Sequence, residues 1–185
     1  ATPYGRLQAI VHNDLLGRYV RPGDRVLDTG SGPGRFTIEC TRLGAKITVA
    51  DISQEQLDLA RASIEKAGYL ASVERFVRSD ILETSEHFSP ATSDVVLCYG
   101  GALTYVCEKR REGTAQLIQA AKPGGVILVS VMSRYGASLS HAQAPHLSIL
   151  KDPKSWHLHQ VLESGDFAGY PSRAVEMLHP PMLLY

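Results

Sequence analysis

A glycine-rich stretch preceded by an acid points most directly to chemistry in this sequence. It reads Asp28-Thr-Gly30-Ser31-Gly32-Pro-Gly34, and it lies between a short apolar run and a helical segment. Glycines between a strand and a helix let the backbone approach a ligand closely. The spacing here is G-x-G-x-G, whereas the dinucleotide-binding fingerprint is G-x-G-x-x-G. The stretch predicts a ligand-binding loop of a different kind; the alternative is a tight turn whose glycines serve packing alone.

Two further acids follow strand-like segments. Asp51 ends a β-rich segment 17 residues after Gly34, where a carboxylate can accept hydrogen bonds from both hydroxyls of a ribose. Asp80 follows a third strand-like segment, next to Ser79. The alternatives are a solvated carboxylate at a helix start for Asp51 and a loop cap for Asp80.

The segments that must position these residues alternate between strand-like and helix-like patterns. Strands are predicted over residues 25–28, 46–51, 73–78, 94–99 and 126–131, and helices over 7–20, 35–43, 54–67 and 106–121. Strands joined by helices pair in parallel and are covered on both faces. We therefore expect an α/β fold, a three-layer α/β/α sandwich with a doubly wound, mainly parallel sheet in the order 3-2-1-4-5.

Local signals add detail to this expectation. In the third helix, Ser53 and Gln56 predict a capping box. Residues 83–93 are polar and predict a loop, and the run 122–125, Lys-Pro-Gly-Gly, predicts a turn before the fifth strand. Two helix faces are expected to point inward: Leu7, Ile10, Val11, Leu15 and Tyr19 in the first helix, and Leu57, Ala60, Ile64 and Ala67 in the third.

The order of these motifs over residues 4–133 resembles that of the class I S-adenosylmethionine-dependent methyltransferases, whose first motif is an acid, any residue and then G-x-G-x-G. The resemblance implies S-adenosylmethionine as the cofactor. It also implies that Asp51 binds the ribose, that Asp80 accepts from the adenine amino group, and that the next residue packs on the ring. The cofactor-binding residues it predicts are Tyr4, Arg6, Asp28, Gly30, Ser31, Gly32, Gly34, Asp51, Ile52, Ser79, Asp80, Ile81, Tyr99 and Gly100.

Catalytic residues are less well marked, because methyl transfer from a sulfonium needs position and desolvation more than a fixed set of side chains. Candidates are Tyr105 and Glu108 in the segment after the fourth strand, and His141 and His157 in the C-terminal part. No metal site is expected. The loop after the fourth strand lacks the Asn/Asp-Pro-Pro-Tyr pattern of nucleic-acid amino-methyltransferases, which argues against a flipped base as substrate.

Composition narrows the class of protein further. The 185 residues carry 19 basic and 19 acidic side chains, which gives no net basic field for nucleic acid or anionic lipid. The three cysteines are far apart, and no apolar run is long enough to span a bilayer, so we expect a cytoplasmic protein without disulfides or a signal peptide. Residues 1–133 are expected to form the cofactor-binding core, and residues 134–185 an incomplete C-terminal insertion that covers the substrate.

The function predicted from the sequence is transfer of a methyl group to an oxygen, nitrogen or carbon nucleophile of a small molecule. Two alternatives stay open: an NAD(P)-dependent oxidoreductase on a Rossmann sheet, and a subunit that binds S-adenosylmethionine without catalysis. The glycine spacing argues against the first alternative. The acceptor and the oligomeric state are not determined by the sequence.

Overall fold

Five parallel strands form one sheet at the centre of the described residues. The computed structural model describes residues 3–132, with side chains from residue 6 onward except that of residue 107. The strands are β1 (Arg25–Thr29), β2 (Lys46–Asp51), β3 (Val73–Arg78), β4 (Ser93–Cys98) and β5 (Ala121–Val129). Their order is β3-β2-β1-β4-β5, which confirms the predicted sheet. The chain reverses its direction of winding between β1 and β4, and this opens a crevice at the carboxyl edge of the sheet.

Helices connect the strands and cover both faces. They are α1 (Pro3–Tyr19), α2 (Arg35–Arg42), α3 (Gln54–Lys66), α4 (Thr84–His87), α5 (Ala102–Tyr105) and α6 (Arg110–Ala120). Short 3₁₀ turns occupy Leu70–Ser72, Ile81–Glu83 and Cys107–Lys109. Within residues 3–132, no helix is long and apolar enough to cross a membrane.

Two apolar cores lie on opposite faces of the sheet. Successive strand residues point to opposite faces, and in β1 Val26 belongs to one core and Leu27 to the other. The first core includes Leu16 of α1 and the predicted inward residues of α3, Leu57, Ala60 and Ile64. The second core includes Leu117 and Ala120 of α6. The three-layer α/β/α sandwich is therefore confirmed.

The predicted inward face of α1 is wrong. Leu7, Ile10 and Val11 are 59%, 64% and 50% exposed, whereas Leu16 and Val20, which follow a different line along the helix, are buried. Periodicity defines an apolar stripe, but docking decides which side of a helix faces the core. In α1 the packing against the sheet is made by its last turn and by the residue after it.

Two predicted boundaries also change. The segment 83–93 is not wholly a loop, since it contains α4. The helix predicted over 106–121 follows a short helix, α5, that was not predicted, and it begins with a 3₁₀ turn before α6. Residues 122–125 do not separate a helix from a strand. They form an irregular insertion inside β5, because Ser93 pairs with Ala121 while Val95 pairs with Val126. Lys122 Nζ closes this bulge by an ion pair with Asp94 Oδ1 at 2.6 Å.

The packing of α1 predicts a difference between two truncations on the same helix. Leu16→Ala removes a fully buried side chain, so we expect the free energy of unfolding to fall by about 2–5 kcal/mol. Ile10→Ala removes a side chain that is 64% exposed and should change it by less than about 0.5 kcal/mol. Urea titration of both variants measures the two values, and equal losses would show that the helix packs through its other face.

Candidate active site

The glycine loop at the end of β1 is held in a backbone conformation that favours glycine. Gly30, Gly32 and Gly34 have φ values of +67°, +53° and +80°. A Cβ atom on Gly30 would lie 2.3 Å from Ala102 Cβ, and one on Gly34 would lie 3.1 Å from Ala60 Cβ. On Gly32 the nearest heavy atom would be 3.9 Å away. Packing therefore accounts for the first and third glycines, whereas the second leaves an open side that a ligand can approach.

The carboxylate of Asp51 ties this loop to the next strand. Its Oδ2 accepts a hydrogen bond from the Gly32 N–H at 2.8 Å, and its Oδ1 accepts one from the Ser53 N–H at 3.0 Å. The predicted capping box is only half formed. The Ser53 hydroxyl accepts from the Gln56 N–H at 3.2 Å, but the Ser53 N–H pairs with Asp51 instead of the Gln56 side chain. Asp51 is buried at the carboxyl end of β2 and positions both the loop and the start of α3.

Asp28 lies beneath the loop as a buried acid. It is 2% exposed, and its Oδ2 accepts a hydrogen bond from the Thr37 hydroxyl of α2 at 2.5 Å. Burial raises the pKa of Asp28 to about 7; the Thr37 hydrogen bond lowers this pKa, and the charge of Asp51 raises it. The acid of the glycine motif therefore links β1 to α2 and changes charge near neutral pH.

Four more predicted cofactor-binding residues follow β2 and β3. Ile52, next to Asp51, is 60% exposed although it is a large apolar residue. Asp80 Oδ1 accepts from the Leu82 N–H at 3.0 Å and caps the following 3₁₀ turn, so the cap expected as the alternative for Asp80 is present. Ser79 is buried and donates its backbone N–H to the Asp51 carbonyl at 3.0 Å. Ile81, which the resemblance places on the adenine ring, is 7% exposed and belongs to the second core with Leu103 and Leu117.

The loop after β4 meets the glycine loop from the other side. Gly100 and Gly101 both have positive φ, and α5 begins directly after them. The Gly100 N–H donates to Ser130 Oγ at 2.9 Å, and the Ser130 N–H donates to the Cys98 carbonyl at 3.0 Å. The contact of Gly30 with Ala102 therefore joins the glycine loop to the segment after β4, which is also hydrogen-bonded to the residue that follows β5.

An aromatic cluster lies where α1, α2 and the end of β4 meet. The ring of His12 is T-shaped against Tyr99, with centroids 4.4 Å apart, and tilted against Phe36 at 5.1 Å. Phe36 and Tyr99 are themselves 5.0 Å apart. Tyr99 is buried, and burial raises its pKa to about 12, so its phenol stays protonated at neutral pH. Tyr99 Oη and Gln8 Oε1 are buried without a hydrogen-bond partner.

The remaining predicted residues fall into two groups. Arg6, Glu108 and Tyr105 are exposed, the last at 46%. The side chain of Tyr4, the candidates His141 and His157, and the whole predicted segment 134–185 lie outside the described residues. In the part of the chain that the structure describes, no group of three His, Cys, Asp or Glu side chains is arranged to hold a metal ion.

Sequence reasoning missed four side chains that shape this edge: Gln8, His12, Thr37 and Ser130. Thr37 follows Gly34 by three residues, and a hydroxyl in the first turn of the helix after an acidic glycine motif is a usable signal. The other three carry no such signal. His12 contacts Tyr99 and Ser130 accepts from the Gly100 N–H, and both contacts join distant parts of the chain.

Comparison with known proteins agrees with this geometry. Residues 26–125 match the family described as Methyltransferase domain. A malonyl-[acyl-carrier protein] O-methyltransferase of Serratia marcescens is 30% identical over 69% of this chain and 46% of its own length. A ubiquinone biosynthesis O-methyltransferase of Xanthomonas campestris pv. campestris is 27% identical over 91% of this chain and 69% of its own.

A solved structure gives the same result. The S-adenosylmethionine-dependent methyltransferase of Thiobacillus denitrificans, in complex with S-adenosyl-L-homocysteine, is 28% identical over 68% of this chain and 47% of its own, with a TM-score of 0.54. The chain therefore belongs to the methyltransferase domain family, and its fold and glycine loop are those of the class I S-adenosylmethionine-dependent methyltransferases. It spans less than half the length of two of the three proteins compared and 69% of the third.

The residues present fit the cofactor of this class, S-adenosylmethionine. An ionised carboxylate has about four acceptor sites, so Asp51 can accept from a ribose hydroxyl on each oxygen while it holds the two backbone N–H groups. Ile52 offers an exposed apolar side chain beside it for the adenine ring. The open side of Gly32 leaves room for the amino-acid moiety.

The pKa of Asp28 predicts how stability depends on pH. The native state binds a proton more tightly than the unfolded chain, where the pKa is near 3.8, so stability should fall as the pH rises from about 4 to about 7 and then level off. Asp28→Asn is uncharged at every pH and should lack this decline. Urea titrations at several pH values give the difference between the two proteins; a constant difference would contradict the burial of a titrating carboxyl.

The crowding at Gly30 predicts the outcome of a matched pair of substitutions. Gly30→Ala and Gly68→Ala both place a side chain at a positive φ, but only the first brings a Cβ against Ala102, since nothing lies within 4 Å of Gly68. We expect Gly68→Ala to cost about 1 kcal/mol and Gly30→Ala about 1–3 kcal/mol more. Thermal or urea unfolding measures both, and equal costs would mean that the two loops are not in contact.

Proposed function

We propose that this protein transfers a methyl group from S-adenosylmethionine to a hydroxyl group of a small molecule. The observation that carries the proposal is the pair of hydrogen bonds by which Asp51, at the end of β2, holds Gly32 of the glycine loop and Ser53 at the start of α3. When bound, S-adenosylmethionine supplies a methyl group on a positively charged sulfur. Two of the relatives compared are named as O-methyltransferases, which favours oxygen over nitrogen or carbon as the acceptor atom.

The cofactor contacts assigned to the chain follow the carboxyl edge of the sheet. Asp51 binds the ribose hydroxyls, Ile52 packs on the adenine ring and Asp80 accepts from the adenine amino group. The Gly30–Gly34 loop lies beside the amino-acid moiety of the cofactor, which is then within reach of the backbone N–H groups of the loop. Together these contacts orient the methyl carbon toward the loop after β4, which is where acceptors bind in open α/β sheets.

The composition and the site favour a small acceptor in a reducing compartment. The chain has no net charge that would gather a polyanion. Cys40 and Cys98 are buried free thiols; burial raises the pKa of Cys98 to about 12, which makes it a poor nucleophile. We therefore place the protein in the cytoplasm, with residues 1–133 as the cofactor-binding core and residues 134–185 as the substrate-covering part.

The cofactor assignment predicts the effect of removing the Asp51 carboxylate. Asp51→Ala loses two charge-assisted hydrogen bonds to ribose, each worth about 1.5–3 kcal/mol, so binding of S-adenosylhomocysteine should weaken about 100-fold or more. Asp58→Ala, on the exposed side of α3, is the matched control and should bind like the unchanged protein. Calorimetry with S-adenosylhomocysteine and with NAD measures both; tighter binding of NAD, or full affinity in Asp51→Ala, would overturn the assignment.

A further inference from the structure

We propose that His12 accepts the proton of the acceptor hydroxyl and so acts as the general base of the reaction. This inference rests on the proposed function, since only a neutral hydroxyl needs to lose a proton as its oxygen takes the methyl group. His12 lies on α1, outside the glycine loop and the three acids, and no motif in the sequence marks it. Its role is inferred from the hydrogen bond of one ring nitrogen and from the position of the ring beside the glycine loop.

The hydrogen bond of His12 sets its tautomer. His12 Nδ1 lies 2.6 Å from the Gln8 carbonyl oxygen, one turn earlier on the same helix. A carbonyl oxygen can only accept, so Nδ1 carries the hydrogen and Nε2 of the neutral ring keeps its lone pair. A backbone carbonyl that orients a histidine through Nδ1 leaves Nε2 ready to accept a proton, in the way that a third group orients the base in catalytic triads.

The neighbours of His12 place it at the carboxyl edge of the sheet. Tyr99 directly follows β4, and Phe36 is the second residue of α2, just after the glycine loop. Both rings contact His12, at centroid distances of 4.4 and 5.1 Å. The imidazole is half-buried, so part of it stays accessible. It therefore lies beside the same loop whose glycines approach the cofactor.

Two buried polar atoms near His12 have no hydrogen-bond partner among the described residues. Gln8 Oε1 belongs to the residue one helical turn before His12 on the same face of α1, and Tyr99 Oη belongs to the ring that His12 contacts. Both atoms are covered by the protein, so they show that the surroundings of the imidazole are partly polar.

The proton transfer and the methyl transfer together conserve atoms and electrons. The O–H bond of the acceptor breaks, its proton binds to Nε2, and the oxygen keeps the electron pair with which it forms the bond to the methyl carbon. The electron pair of the broken sulfur–carbon bond stays on sulfur, which becomes a neutral thioether. The imidazolium then releases its proton to solvent, and no other reactant is needed.

The tautomer is tested directly by nitrogen NMR of the ring. In protein labelled with ¹⁵N-histidine and saturated with S-adenosylhomocysteine, the signals lost in His12→Asn identify this residue among the seven histidines. We expect the neutral ring to carry its hydrogen on Nδ1 and to leave Nε2 unprotonated, as the hydrogen bond to the Gln8 carbonyl requires. A neutral ring with its hydrogen on Nε2 would overturn the proposal whatever the enzyme methylates.

Kinetics with two matched acceptors supply the second test. Catechol is a neutral hydroxyl compound at neutral pH, whereas 4-nitrocatechol ionises without help. For His12→Asn we expect kcat with catechol to fall about 100-fold to 10,000-fold, and less than about tenfold with 4-nitrocatechol. Binding of S-adenosylhomocysteine should stay unchanged. His87→Asn, at the exposed end of α4, is the control and should keep full activity with both acceptors.

The outcomes separate this inference from the proposed function. Equal losses with both acceptors would make His12 a packing residue, and no loss would remove it from catalysis; either result overturns the inference while methyl transfer stands. If the unchanged protein binds no S-adenosylhomocysteine, the proposed function fails and the inference fails with it.

Discussion

The hydrogen bonds of one carboxylate organise the whole cofactor edge. Asp51 ends β2, and its two oxygens accept backbone N–H groups from the glycine loop after β1 and from the start of α3. The loop has three glycines at positive φ, and the Ser31 N–H also ties it to β2 by donating to the Ala50 carbonyl at 3.1 Å. The carboxylate therefore makes the loop a fixed surface, and the rest of the site is built against that surface.

The second acid of the site, Asp28, lies beneath the glycine loop. Asp28 is buried between β1 and α2 and keeps one hydrogen bond, from Thr37. Two carboxyl groups near the same loop interact unfavourably when both are charged, and this adds to the effect of burial on the pKa of Asp28. In the proposed function Asp51 binds the ribose, whereas Asp28 stays inside the scaffold.

The first helix shows where local pattern and tertiary structure diverge. Its apolar residues Leu7, Ile10 and Val11 are exposed, while the polar residue His12 packs against Phe36 and Tyr99. A helix can present any of its sides, and the side that is used depends on what the sheet and α2 offer at the contact. Tertiary pairing also decides the structure of residues 122–125. Their sequence predicts a turn, but they form a bulge because Ser93 and Val95 both pair with β5.

The sequence by itself determined the parallel sheet, its order, the glycine loop and the acids at the ends of β1, β2 and β3. These features depend on local chemistry: apolar runs make strands, helices between them force parallel pairing, and a parallel sheet brings its carboxyl ends to one edge. Only the tertiary structure decided that Asp51 bonds the Gly32 N–H, that Gly30 packs on Ala102, and that His12 meets Tyr99. Each of these contacts joins residues between 19 and 87 positions apart, where spacing in the sequence carries no information about distance in space.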